Sequence, residues 1–138
     1  MTETARAGFF SILHTSGVLE GRAETKLAEV GLSLPKLAAL NRLSEAGGSL
    51  PLGQLAERLS CVKSNVTQLV DRLEADGLVN RTADPNDRRS RIAVLTDAGR
   101  AAYEQGIQIQ QQTERDLFGA LSPHESAQLH QLLAKLER

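Results

Sequence analysis

The sequence predicts a mainly α-helical fold carrying one small β-hairpin. Three observations lead there. Apolar residues recur at i, i+3, i+4 and i+7, as in Val66, Leu69, Val70 and Leu73, a spacing that gathers them on one side of an α-helix. Two short β-prone runs, Leu78 to Thr82 and Arg91 to Leu95, flank Asp84-Pro85-Asn86-Asp87, which suits a type I turn with aspartate first and proline second. Glycines close the periodic stretches, and Gly77 stands where a helix end takes a left-handed residue.

Length and composition bound the rest. With 138 residues the chain forms one domain with a real core. Its 41% hydrophobic and 24% charged residues are ordinary for a globular protein in water. No run approaches a membrane span, and the N-terminus lacks a cleavable apolar segment, so no membrane partner is expected. The single cysteine, Cys61, excludes an internal disulfide and fits a cytoplasmic setting. A net charge of −1 argues against a non-specific polyanion binder. It leaves a sequence-specific one open, because a phosphate meets the local field. From Arg81 to Arg91 four arginines face Asp84 and Asp87, a local excess of +2.

In chain order, residues 8–30 form a first helix with Phe9, Ile12, Leu13, Leu27 and Val30 as its apolar points. Gly17 and Gly21 weaken it by up to about 1 kcal/mol each unless another backbone packs there. Ser33 caps a second helix, with Pro35 in its first turn and Leu37, Leu40 and Leu43 inward, and Gly47-Gly48 end it. Ser49-Leu50-Pro51 suits a third short strand. Leu52 to Leu59 is a short helix with Leu52, Leu55, Ala56 and Leu59 on one face. A tight link then leads to the helix starting at Lys63, a helix-turn-helix layout in which Val62 offers no side-chain cap.

Thr96 caps a long helix running to about Gly119, whose apolar points Ala98, Ala102, Ile109 and Leu117 are too sparse for a core helix. It is expected as a strut. Ser122-Pro123-His124-Glu125 is a capping box that opens the last helix. Leu129, Leu132, Leu133 and Leu136 make a stripe there that calls for a second subunit.

On the Lys63 helix, Ser64, Gln68 and Arg72 project away from the apolar stripe, with Asn65 and Thr67 on the flanks. All can hydrogen-bond a base edge or a phosphate. The hairpin that follows bears Asp87, Arg88, Arg89 and Arg91. Pattern alone leaves a solvated polar face and a DNA-reading face both open.

The wording of the stretch goes further. Through SNVTQLVDRLEADGLVNR, the DRR of the hairpin and VLTDAG, the chain resembles the MarR family of winged helix-turn-helix transcriptional regulators. The resemblance implies a winged helix-turn-helix lobe over 33–100 and a dimerisation layer from 1–32 and 101–138. It also implies a homodimeric repressor of a pseudo-palindromic operator in double-stranded DNA, released by a small-molecule effector in the crevice between the two lobes. On that reading Ser64, Asn65, Thr67, Gln68 and Arg72 face the major groove. Gln68 pairs bidentately with adenine, and Arg72 reaches a guanine or a phosphate. Asp87, Arg88, Arg89 and Arg91 form the wing, with Arg89 in the minor groove.

Rival readings are a protein-binding adaptor that kept the shape, and a DNA binder without an effector. An arginine-tipped hairpin favours DNA. Peroxide-sensing members of the family carry their cysteine in the first helix, which has none here, so Cys61 is expected as a packed thiol. His124 and His130, at i, i+6, do not share a face, and His14 stands apart, so no metal is expected. Without a phosphate loop, nucleotide fingerprint or nucleophile beside a base, the reading is not an enzyme and needs no cofactor.

Overall fold

The computed structural model describes residues 2–59 and 63–137, with the backbone alone at 63 and 64. The chain runs α1 (Glu3–Ala28), α2 (Leu34–Glu45), β1 (Ser49–Pro51), α3 (Leu52–Leu59), α4 (Lys63–Ala75), β2 (Val79–Asp84), β3 (Asp87–Leu95), α5 (Asp97–Phe118) and α6 (Pro123–Leu136). The expected mainly helical fold with a hairpin is present. The expectations for Cys61 and for Val62 as the residue before α4 lie outside the described residues.

One lobe is built on the stripes that the periodicity marks. Leu40 and Leu43 of α2, Leu55 of α3, and Val66, Val70 and Leu73 of α4 are fully buried together with Val79 and Ala93 of the sheet. The antiparallel sheet has the order β1-β3-β2. Strand alternation puts Val79 opposite Leu95 and Arg81 opposite Ala93, so this row faces the helices.

Polar groups end the helices where the sequence places them. The side chains of Ser33, Thr96 and Ser122 accept from the N–H of Lys36, Gly99 and Glu125, and Ser122 and Glu125 complete the capping box. Gly77, with φ +77°, closes α4 as the N–H of Leu78 donates to the Leu73 carbonyl at 2.9 Å.

Two expectations need correction. The first helix spans Glu3–Ala28, not 8–30, because Thr2 caps it by accepting from the N–H of Ala5 at 3.0 Å. Val30 lies in the closing turn beyond it. The long helix α5 is more than a strut. It packs on α1 and α2 with Gly99, Gly106 and Thr113 buried, and with Ala102, Tyr103, Ile107 and Ile109 against the core. A Cβ on Gly106 would stand 2.6 Å from Leu32 Cδ1 and 2.9 Å from Leu37 Cδ1. The helix gains its contact by lacking a side chain, which apolar counting passes over.

The other layer is α1, the far half of α5, and α6. No α6 residue is buried, and Leu132 and Leu136 are 58% and 67% exposed. Phe9, Phe10, Ile12 and Leu13 of α1 are also open. Among the described residues no helix is long and apolar enough to cross a membrane.

Candidate nucleic-acid interface

Helix α4 presents two unlike sides. Val66, Val70 and Leu73 fill the core, while Asn65, Thr67, Gln68, Asp71 and Arg72 are exposed on the other side. Asn65, Gln68 and Arg72 share that outer face at helical spacing, so three of the five expected α4 groups point outward together. Thr67 lies on its flank, and the Ser64 side chain lies outside the described atoms.

The wing is the β2–β3 hairpin. Its regular ladder runs as far as Ala83 opposite Arg91, after which Asp84 pairs with Asp87. Arg88, Arg89 and Ser90 therefore stand on β3 between two consecutive pairings, a bulge-like irregularity in the ladder. Asp84 Oδ1 accepts from the N–H of Asn86 at 2.8 Å, and Asp87 Oδ1 accepts from the N–H of Arg89 at 3.0 Å. Both aspartates thus act as turn formers. Asp87 shapes the loop, and the exposed guanidiniums of Arg88, Arg89 and Arg91 carry its charge. Arg89 and Arg91 face α3 across a groove of about 420 Å³ that Gln54 and Glu57 also line.

Arg81 belongs elsewhere. Its guanidinium turns from the tip to α4, where Nη2 donates to Glu74 Oε1 at 3.1 Å and pairs with Asp71 Oδ1. Its backbone N–H donates to Glu74 Oε2 at 3.0 Å. That backbone bond, followed by the guanidinium, holds the Glu74 carboxyl below the ordinary carboxylate range. Asp76, just past the helix end, is bound in the same way by Lys36 Nζ at 2.8 Å. Asp71, Glu74 and Asp76 are thereby each paired with a cation from another element, two cations offsetting two of their three charges. The +2 counted along residues 81–91 is halved at the tip: Arg81 pairs with α4, and three arginines against two aspartates leave +1 there.

Sequence reading overlooked Arg81 and Lys36 as connectors. A signal for the first was present: alternation from Val79 puts a cation on the inner face of β2, one strand after carboxylates at i, i+3 on a helix. Lys36 and Asp76, 40 residues apart, left none.

The profile of the MarR family matches residues 32–90. The HTH-type transcriptional regulator YkoM of Bacillus subtilis is 37% identical over 107 residues, covering 78% of this chain and 69% of its own. A transcriptional repressor of Mycobacterium tuberculosis is 26% identical over 136 residues, 99% of this chain and 96% of its own. A mutant MarR of E. coli complexed with operator DNA superposes with a TM-score of 0.82 at 25% identity, covering 94% of this chain and 93% of that one. With a buried-backed α4, an arginine-tipped wing and these relatives, the chain belongs to the MarR family of winged-helix transcriptional regulators, which are not enzymes.

Proposed function

We propose that the chain acts as a homodimer that reads a pseudo-palindromic operator and represses transcription from it, and that a small molecule releases it. The observation that carries this reading is the outer face of α4. Asn65, Gln68 and Arg72 are exposed there, the neighbouring carboxylates are paired with Lys36 and Arg81, and the hairpin that follows carries three exposed arginines. Ser64, Asn65, Thr67, Gln68 and Arg72 read the major groove. The wing, shaped by Asp87, brings Arg89 to the minor groove and leaves Arg88 and Arg91 to the phosphates.

Dimerisation is supported by the apolar residues that α1 and α6 leave open in a single chain. Repression follows the M. tuberculosis relative, which is a repressor. Release by an effector is supported by a groove of about 560 Å³ between α1 and α5, lined by Val18, Arg22, Thr25, Thr113, Asp116 and Leu117. That volume suits a small organic molecule. The groove lies within the helical layer, displaced from the crevice between lobes where the resemblance puts an effector.

The test is binding to genomic fragments as salt is varied. If each subunit neutralises about four phosphates, log K falls against log salt with a slope of roughly −7. Half-sites protected about one helical turn apart, roughly 10 base pairs, are expected. A slope near zero, or one subunit per site in sedimentation, overturns the two-headed reader.

A further inference from the structure

We propose that Arg81 positions the wing: clamped by Glu74 and Asp71, it holds the hairpin at a set offset from α4, so that the major-groove half-site and the flanking minor-groove tract are read in one register. This rests on the DNA reading above and assigns Arg81 a role without any contact to DNA.

The attachment has two points. A single carboxylate, Glu74, accepts from both the backbone N–H and the guanidinium of Arg81, and Asp71, one turn earlier, takes the same Nη2. Main chain and side chain of one strand residue are thus fixed to two successive turns of the reading helix. A solitary surface pair contributes little. Here three groups share the geometry, and the Arg81 side chain is only 26% exposed.

Its place along the hairpin matters as much. On the inner row of the sheet, Val79 with Leu95 is buried, Arg81 sits opposite the buried Ala93, and Ala83 opposite Arg91 is already exposed. Burial ends at Arg81. Beyond it the ladder shifts register, and on the α3 side the tip borders an open groove. The tip is a cantilever, and the clamp lies at its root.

The same contacts pair two carboxylates that stay open to solvent. Asp71 is adjacent to Arg72 in sequence, on the helix that meets a polyanion. Arg81, itself half-buried, pairs with both carboxylates and cancels one of their two charges.

The experiment uses the duplex that the wild-type protein selects from a random-sequence pool, and versions with one base pair inserted or removed between half-site and flank. Wild type should lose about tenfold or more in affinity on the respaced duplexes. Glu74→Gln and Arg81→Met should bind the selected duplex more weakly and lose most of that discrimination, with an unchanged salt slope. Arg81→Lys, which keeps the charge but not the fork, should fall between. In protein without DNA, amide exchange at residues 83, 84 and 86–90 should quicken about tenfold in Glu74→Gln, while the amides of Val70 and Ala93 stay protected.

Three results overturn the clamp: unchanged exchange at the tip, discrimination as strong in the variants as in wild type, or a salt slope shallower by about one unit in Arg81→Met, which marks a direct phosphate contact. A wild-type protein indifferent to spacing instead sinks the groove-reading geometry, and the clamp with it.

Discussion

Gln68 and Arg89 stand on elements that offer DNA different chemistry, and substitution separates them. Base pairs are fully distinguishable in the major groove, whereas the minor groove carries a degenerate code in which narrow A·T tracts attract arginine by potential. Gln68→Ala should therefore cost about 1–3 kcal/mol at the base pair it reads and leave the salt slope nearly unchanged. Arg89→Ala should weaken binding on most sequences alike, somewhat more at A·T-rich flanks, and flatten the slope by about one unit. Affinities on matched and shuffled operators at several salt concentrations check both. If Arg89→Ala binds every sequence as wild type does, the wing is not in a groove and an adaptor role becomes the better reading. Which residues look outward on α4 was legible because a 100° step per residue sorts them without knowledge of the fold. The partners of Arg81 and Lys36 were not, since each ion pair depends on how the chain turns back after Gly77.

The junction between α4 and α5 shows how elements are joined by small groups. Thr96 Oγ1 donates to the Gly77 carbonyl at 2.7 Å and accepts from the Gly99 N–H at 2.9 Å, capping α5 while gripping the end of α4. A Cβ on Gly99 would stand 2.0 Å from the Leu78 carbonyl oxygen, a backbone atom that cannot swing aside. At Gly106 the obstacles are leucine methyl groups, which can yield in part. Gly106→Ala gains about 1 kcal/mol of helix propensity but overpacks the core by roughly 1–3 kcal/mol, for a net loss of about 0–2 kcal/mol. Gly99→Ala should lose more. Denaturant unfolding that ranks Gly106→Ala above wild type would show that α5 does not sit this close. The cap at Thr96 was legible, as was that at Ser122, because capping is written in adjacent residues. The seating of α5 was not, because hydrophobic periodicity scores side chains and this contact is made where one is missing. Likewise Thr2 starts α1 before any apolar residue announces the helix.

For the molecule as a whole, the leucine stripe of α6 was legible, and the structure leaves it uncovered. Leu132→Asp with Leu133→Asp would put two charges into the proposed seam at a cost of several kcal/mol. The capping box at Ser122 is untouched, so α6 should keep its helical start. Light scattering coupled to size exclusion should report single subunits, and operator binding should disappear with the dimer. A variant that stays dimeric would place the seam elsewhere.

The grip of Thr96 on Gly77 also has a mechanical consequence. Helix α5 spans 22 residues, so at 1.5 Å per residue it is a beam of about 33 Å. One end is tied through Thr96 to Gly77, just past α4, and the other lies among the residues that α1 and α6 leave uncovered. Geometry alone sets the gearing: a tilt of about 5° corresponds to roughly 3 Å of travel at the far end. Because the beam is held at Thr96, such a tilt arrives at α4 as a small rotation and not as a shift of that length, and the close approach of Gly99 to the Leu78 carbonyl keeps α5 seated at that joint.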